Sequence, residues 1–274
     1  MNKSFYWFLK LFFLAVFILG IPGCNKDSGV GPSISDSDFQ FTGDESAKVN
    51  VGLYIDSGVW DGCKTTTKNM LEGMKCNYTV ITKDSILNSN LDRYSTLLMP
   101  GGDMWQYRDY LGANGMKKIK DYVNRGGGYL GICGGAYFGT NKVIWRGWSN
   151  KPRKNISMIG LNLLASDSDG PIEDFAPSYV DSKCKVNIVE KNHAISQGVP
   201  DIIEIYYDHG PMFLITNTTG ISVIGKSVNG DKTTMIASSY GMGKVFLTGQ
   251  HPELSDTHIS WTLLKNAIKW CSNK

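Results

Sequence analysis

Two short segments of the 274-residue sequence carry side chains that can act together as a nucleophile and a base. Residues 128–139 read G-Y-L-G-I-C-G-G-A-Y-F-G and contain Cys133, and residues 251–253 are His-Pro-Glu. A thiol activated by a histidine attacks carbonyl carbon, and a neighbouring carboxylate fixes the imidazole tautomer and stabilises the imidazolium. We therefore take Cys133, His251 and Glu253 as the candidate catalytic triad.

Glycines on both sides of Cys133 indicate a sharp turn from a strand into a helix. The apolar residues 129–132 predict a buried strand, and a helix is expected from Gly134. Such a turn strains the backbone of the nucleophile, and flanking glycines relieve the crowding. The thiol would then lie at the carboxyl edge of the sheet, above a helix N-terminus whose dipole favours the thiolate.

An oxyanion needs two N–H donors, and the sequence supplies two candidates. The N–H of Gly134 directly follows the nucleophile. Pro100-Gly101-Gly102 follows another predicted strand, so this loop should end at the same edge of the sheet.

The elements around these segments predict an α/β protein with a doubly wound, mostly parallel sheet. In the first half, predicted strands at 49–55, 78–81, 96–99 and 129–132 alternate with predicted helices at 64–74 and 114–124. After residue 142, short strands separated by Asn and Gly turns predict antiparallel additions at one end of the sheet. These predicted strands are 156–164, 184–189, 204–207, 222–225, 235–238 and 244–248, and a helix at 259–270 closes the chain.

Three motifs occur in an order known from a protein family. They are the elbow G-I-C-G-G-A-Y at 131–137, the segment Y-Y-D-H-G-P-M-F at 206–213, and the stretch from G-M-G-K-V to H-P-E at 241–253. Together they resemble the class I glutamine amidotransferase-like superfamily. A closer resemblance is to the domain at the N-terminus of eukaryotic biotin–protein ligases, which also occurs alone in bacteria. The resemblance covers residues 49–270.

The resemblance implies a flavodoxin-like fold of the glutamine amidotransferase type and a role for each matching residue. Cys133 would be the nucleophile, His251 the base, Glu253 its orienting carboxylate, and Gly102 and Gly134 the oxyanion donors. His209 could touch substrate, although an exposed loop position is equally consistent with its sequence context. The residues assigned to the substrate pocket are Gly101, Tyr207, His209 and Gly210.

Two departures from these families shape the expected function. The sequence has no Gly-Arg-rich biotinyl-AMP loop and no synthetase domain, so biotin transfer and glutamine-dependent synthesis are set aside. We expect a thiol hydrolase that cleaves an amide, γ-glutamyl or peptide-like, in a small-molecule or peptide-like substrate, without a cofactor. Two alternatives stay open: a module that binds a small molecule or glycan and keeps a vestigial triad, and a purely structural envelope protein.

The first residues predict export and lipid anchoring. Lys3 and Lys10 precede an apolar run, and residues 1–23 read as a lipoprotein signal peptide. Cys24 would then be acylated, which provides enough chain for stable membrane attachment. Residues 24–47 are rich in Ser, Gly and Asp and predict a flexible tether to one domain at 48–274. We therefore expect a protein anchored to a bacterial membrane in the cell envelope.

Charge and cysteine spacing exclude other classes of partner and site. The net charge of +3 falls to +1 without the two leader lysines, which gives no electrostatic reason to expect nucleic acid. No C-x-x-C pair occurs, so no metal site is expected. A predicted helix of about ten residues would hold Cys63 and Cys76 ~15 Å apart, too far for a disulfide. A Cys184–Cys271 bridge is open.

Overall fold

The computed structural model describes residues 36–147, 156–172, 182–254 and 258–273. One compact unit, Ile34–Lys274, contains all of them. Within these ranges, no helix has both the length and the apolar character needed to cross a membrane. The predicted signal peptide, 1–23, and Cys24 lie outside the described residues.

A nine-stranded sheet forms the centre of the domain, with strand order β2-β1-β3-β4-β13-β12-β11-β8-β9. Its first five strands are parallel. Strands β1, β3 and β4 are covered by helices on both faces, and every residue in them is buried. The five parallel strands are β1 (Val51–Tyr54), β2 (Tyr78–Ile81), β3 (Thr96–Met99), β4 (Gly128–Ile132) and β13 (Gly243–Thr248).

The other four strands extend this sheet in antiparallel fashion beyond β13. This arrangement confirms the predicted α/β fold with a mostly parallel sheet and antiparallel strands contributed by the C-terminal half. These strands are β8 (Ser182–Ile188), β9 (Ile202–Tyr207), β11 (Ile221–Ser227) and β12 (Thr233–Tyr240).

A separate four-stranded sheet, ordered β10-β7-β5-β6, was not predicted. Its strand β7 reads S-D-S-D-G and has no apolar alternation, yet most of it is buried. Buried Ser168 shares a hydrogen bond with Thr140, and buried Asp169 pairs with Arg146, so polar contacts replace apolar packing there. The strands are β5 (Lys142–Trp145), β6 (Ile156–Ile159), β7 (Ser166–Gly170) and β10 (Met212–Ile215).

Helices cover the two faces of the large sheet. The helix predicted at 114–124 begins ten residues earlier, at Met104, and Gly112 with φ of 65° marks the kink between its two parts. The helices are α1 (Asp36–Phe39), α2 (Gly43–Ala47), α3 (Asp61–Gly73), α4 (Lys83–Asn88), α5 (Met104–Asn124), α6 (Gly134–Gly139) and α7 (His258–Ser272).

The predicted tether, 24–47, is wrong in its second half. Residues 36–47, here called the N-terminal arm, contain α1 and α2 and pack on the domain. Phe39 and Phe41 are buried in the core, and the Phe39 ring stacks on His258 with 3.9 Å between centroids. The domain therefore begins before residue 48, because two aromatic side chains upstream bury apolar surface against it. Residues 24–35 of the predicted tether lie outside the described residues.

The five cysteines of the described ranges are buried free thiols. Cys184 and Cys271 form no disulfide, and the Cys271 thiol lies 3.7 Å from the carbonyl oxygen of Tyr129. Burial raises the pKa of the Cys184 thiol to about 11 and that of Cys76 to about 12. Both thiols are therefore protonated and unreactive near neutral pH.

Candidate active site

Cys133 lies in the sharp turn between β4 and α6, as the glycine pattern predicts. Its backbone has φ of 48° and ψ of −104°, an unusual conformation for a residue with a side chain. The neighbouring glycines are required by close backbone contacts. A methyl group on Gly131 would lie 2.5 Å from the oxygen of Gly135, and one on Gly134 would lie 2.1 Å from the oxygen of Gly102.

His251 and Glu253 follow the end of β13, which is the strand next to β4. The His251 ring nitrogen Nδ1 is 2.8 Å from Oε1 of Glu253, and both side chains are at most 3% exposed. The N–H of His251 donates to the carbonyl oxygen of Tyr206 at 2.8 Å, which fixes the backbone of this segment. The carboxylate is therefore positioned to orient the imidazole.

The carbonyl oxygen of Asp208 contacts both Cys133 and His251. The Cys133 thiol donates to it at 3.3 Å, and Nε2 of His251 lies 3.2 Å from it. Carbonyl and carboxylate oxygens only accept hydrogen bonds, so an imidazolium, with two N–H donors, satisfies both ring contacts. Burial lowers the pKa of His251, but its interactions with Cys133 and with the Glu253 carboxylate raise that pKa well above 6.5 overall.

The Pro-Gly-Gly loop brings the two predicted oxyanion donors together. Gly134 packs so closely on the backbone of Gly102 that it has no room for a side chain, and a methyl group on Gly102 would lie 2.1 Å from the oxygen of Gly58. The hydroxyl of buried Tyr107 donates to the carbonyl oxygens of Pro100 and Gly101 at 3.1 and 3.3 Å, which holds the loop in place. Both predicted donor residues therefore lie near the thiol, since Gly134 follows Cys133 directly and Gly102 lines the same cavity as Cys133.

A narrow cavity adjoins the thiol, and aromatic side chains form much of its wall. Its volume, measured as the space open to the centre of a water-sized sphere, is only about 20 Å³. Trp145 packs edge-on against Trp105 and Tyr137, with centroids 5.6 and 5.9 Å apart. The lining residues that surround Cys133 include Trp60, Gly102, Asp103, Trp105, Trp145 and His209.

Of the four predicted pocket residues, only His209 lines this cavity. Gly101 instead packs against the His251 ring, and a methyl group added to Gly101 would lie 2.7 Å from the ring carbon Cε1. Tyr207 and Gly210 are not lining residues; the Tyr207 hydroxyl accepts from the N–H of Ile172 and donates to the oxygen of Gly210, both at 2.7 Å. These contacts fix Gly210 through the Tyr207 hydroxyl, and the assignment of Tyr207 and Gly210 to a substrate pocket stays a prediction.

Several site features escaped the sequence reading. The Asp208 contact is made by a main-chain carbonyl, which no residue type signals. Trp60, in the loop before α3, and Trp105, in α5, both line the cavity, but neither belongs to a recognisable sequence motif. Cys63, in the first turn of α3, lies beside His251, and its thiol pKa is raised by burial, which a hydrogen bond with the imidazole opposes.

The sequence of residues 49–269 matches the family described as "Biotin-protein ligase, N terminal". A biotin–protein ligase of Schizosaccharomyces pombe is 32% identical over 167 residues, which are 58% of this chain. The match covers only 25% of that ligase, so the chain spans about a quarter of the length of this curated relative.

Solved structures with the same fold include glutamine amidotransferases. One glutamine amidotransferase superposes with a TM-score of 0.56 at 18% identity, over 79% of this chain and 98% of the other. A glutamine amidotransferase of Thermotoga maritima gives a TM-score of 0.52 at 13% identity, over 83% and 99% of the two chains. At such low identity the likeness establishes the fold alone.

Proposed function

Because this chain belongs to the biotin–protein ligase N-terminal family and has a glutamine amidotransferase-like fold, we propose that it is a thiol hydrolase of amide bonds. The observation that carries the proposal is the connected set Cys133, His251 and Glu253, buried together at adjacent strand ends. A thiol, an imidazole and a carboxylate in this order suit acyl transfer rather than biotin transfer.

The proposed reaction proceeds through a thioester. The neutral His251 imidazole takes the proton of the Cys133 thiol, and the sulfur attacks the amide carbonyl carbon. The N–H groups of Gly102 and Gly134 would stabilise the oxyanion that forms. The His251 imidazolium gives its proton to the departing amine, which breaks the carbon–nitrogen bond. Water, deprotonated by the neutral imidazole, then attacks the thioester, releasing the acid and restoring the thiol. Glu253 keeps Nδ1 protonated and oriented throughout.

The proposed substrates are γ-glutamyl or peptide-like amides outside the cytoplasm. The leader pattern at 1–23 supports export, and acylation of Cys24 would attach the domain to a membrane of the cell envelope. Replacing Cys24 by Ser in a bacterial host should abolish incorporation of labelled fatty acid and move the protein from the membrane fraction to the soluble fraction. Unchanged labelling would refute the anchor.

A covalent adduct tests the hydrolase. The chain is exposed to a library of γ-glutamyl and peptide amides, quenched in acid, and its peptides are examined by mass spectrometry. We expect an acyl group on the peptide containing Cys133, and none after Cys133→Ala. Cys184→Ser is the matched control, since that thiol has a raised pKa and should not contribute. Modification independent of Cys133 would contradict the proposal.

Alkylation tests the assignment of the base without any knowledge of the substrate. Iodoacetamide should modify Cys133 at pH 7 faster than any other described cysteine, because a neighbouring imidazolium stabilises the attacking thiolate. His251→Ala should slow this modification at least tenfold. Equal rates in the two proteins would exclude His251 as the activating group.

One observation favours a second candidate, a binding module with a vestigial triad. Cys133 is only 2% exposed, and its thiol is held by the Asp208 carbonyl beside a very narrow cavity. Such a site could retain a ligand without turning it over. In that case a compound from the library would raise the unfolding temperature of the wild type and of Cys133→Ala equally, and no acyl adduct would form.

A further inference from the structure

A second thiol, that of Cys63, lies beside the candidate base His251 and has no role in the proposed reaction. Cys63 is in the first turn of α3 and is 5% exposed. Its sulfur and the His251 ring both contact Gly101, where an added methyl group would lie 2.7 Å from each. Cys63 therefore approaches His251 directly, although 188 residues separate the two positions in sequence.

Three potential metal ligands converge at this point. One donor atom each from Cys63, His251 and Glu253 lie within 4.8 Å of one another, and all three residues are buried. Cys133 does not belong to this group. The set therefore differs from the catalytic triad, with Cys63 in place of the nucleophile.

The carboxylate of Glu253 provides an independent sign of an incomplete polar site. Its Oε1 contacts Nδ1 of His251, but its buried Oε2 has no hydrogen-bond partner among the described residues. A carboxylate oxygen without a partner is costly in a side chain that is 97% buried, and a cation would satisfy it.

The donor chemistry selects the class of metal. One sulfur, one imidazole nitrogen and one carboxylate oxygen suit zinc and similar transition metals, whereas calcium and magnesium require mainly oxygen ligands. Tetrahedral zinc with bonds of about 2.0–2.3 Å separates its ligand atoms by about 3.3–3.8 Å. Side-chain adjustments of about 1 Å would bring the three atoms to that spacing.

We propose that Cys63, His251 and Glu253 form a site for a divalent transition metal such as Zn²⁺. Binding displaces the thiol proton of Cys63 and leaves the imidazole neutral, because metal ligands must be deprotonated. The metal takes the base and its orienting carboxylate away from Cys133. Metal binding and thiol chemistry at Cys133 therefore exclude each other, and the metal acts as an inhibitor.

Cobalt titration of the full chain tests the site, because a thiolate bound to Co²⁺ gives an ultraviolet charge-transfer band. All proteins carry Cys24→Ser, so that the Cys24 thiol contributes nothing. We expect one Co²⁺ per chain with this band, and displacement by Zn²⁺. Cys63→Ser should abolish the band and weaken Co²⁺ binding at least tenfold. Cys133→Ala and Cys76→Ser, the matched thiol controls, should retain the band and the affinity.

Loss of the band in Cys133→Ala with retention in Cys63→Ser would overturn the proposal, as would the absence of stoichiometric binding by the parent protein. Glu253→Gln, nearly identical in shape, should weaken binding at least tenfold while leaving the thermal unfolding of the metal-free protein cooperative. Equal Co²⁺ affinity in Glu253→Gln and the parent would also overturn it.

A second readout separates this site from the proposed hydrolase activity. Saturating Zn²⁺ should slow iodoacetamide modification of Cys133 at least tenfold in the parent protein but not in Cys63→Ser. Equal protection in both proteins would show that the metal binds Cys133 itself and would refute the site. Neither measurement requires a substrate, so failure of the acyl-adduct experiment leaves the metal proposal standing on its own results.

Discussion

At Cys133, an unfavourable backbone conformation is held by close packing of its neighbours. Angles of this kind cost about 1–3 kcal/mol and persist only where the surrounding structure fixes them. Here α6 approaches the Pro-Gly-Gly loop so closely that Gly134 and Gly102 touch through their backbones. The amide N–H of Cys133 donates to the carbonyl oxygen of Thr248 at 2.9 Å, which ties the turn to β13.

Gly134→Ala should damage both the fold and the site. Its methyl group would lie 2.1 Å from the Gly102 oxygen, so one backbone must move, at a cost of about 1–3 kcal/mol in the free energy of unfolding. The movement displaces a predicted oxyanion donor, so acyl-adduct formation should fall at least a hundredfold. Urea unfolding and adduct mass spectrometry measure the two effects.

Gly62→Ala provides the control for this prediction. Gly62 also lies in the first turn of a helix, but no atom lies within 4 Å of the position of its added methyl group. Alanine there should stabilise the protein by about 0.5–1 kcal/mol and leave adduct formation unchanged. Similar losses in the two variants would mean that the close contact at Gly134 is not the cause.

The residue types of the triad could be predicted because their chemistry shows in sequence. A cysteine among glycines and a His-Pro-Glu segment are visible without coordinates, and the structure does bring Cys133, His251 and Glu253 together. The contribution of Asp208 could not be predicted, because its carbonyl is common to every residue. Cys63 was missed because its approach depends on where α3 begins relative to the Pro-Gly-Gly loop.

At the scale of elements, the buried parallel strands were the most predictable part of the fold. Tyr78–Ile81 and Thr96–Met99 have the bounds that their apolar runs predict. The small sheet was largely missed, because β7 is polar in sequence and its burial depends on partners such as Arg146. Hydrophobic pattern identifies strands that bury apolar side chains and fails for strands stabilised by polar networks.

The contact between the N-terminal arm and α7 predicts a specific acid sensitivity. Glu45 forms ion pairs with Lys265 and Lys269 of α7. Burial alone would raise the pKa of Glu45, but the hydrogen bond with Lys269, the N–H of Thr42 and the charge of Lys265 lower it from 4.5 to about 2. A lowered folded-state pKa means stability that is present above pH 4.5 and lost as pH falls towards 2.

Glu45→Gln should therefore remove part of the pH dependence of unfolding. Between pH 5 and pH 2, the wild type should lose about 1–2 kcal/mol more unfolding free energy than the variant, after allowance for partial solvent exposure of Glu45. Urea unfolding at each pH measures the difference. Asp44→Asn, at an exposed neighbour on the same arm, should follow the wild-type curve. Parallel curves for Glu45→Gln and the wild type would disprove the contribution.

At the scale of the whole molecule, the arm changes where the domain begins and how far an anchor could hold it from a membrane. With the arm packed from residue 36, a connection from Cys24 comprises residues 24–35, twelve residues rather than the twenty-four first predicted. Twelve fully extended residues span at most about 40 Å. On the proposed anchoring and hydrolase activity, the domain would therefore stay close to the lipid surface, within reach of envelope-bound substrates.

The packing of the arm can be tested in the full chain. Phe39 contacts His258 and Trp261 of α7, and Phe41 is equally buried, so replacing both by Ala should lower the free energy of unfolding by about 3–6 kcal/mol. For a domain of this size, the unfolding temperature should fall by about 6 °C or more. The freed arm should also become a site of early proteolytic cleavage, whereas Asp44→Ala should change neither property. Unaltered unfolding in the double variant would show that residues 36–47 do not contribute to the stability of the domain. They would then belong to the tether, and the domain would begin at residue 48 as the sequence predicted.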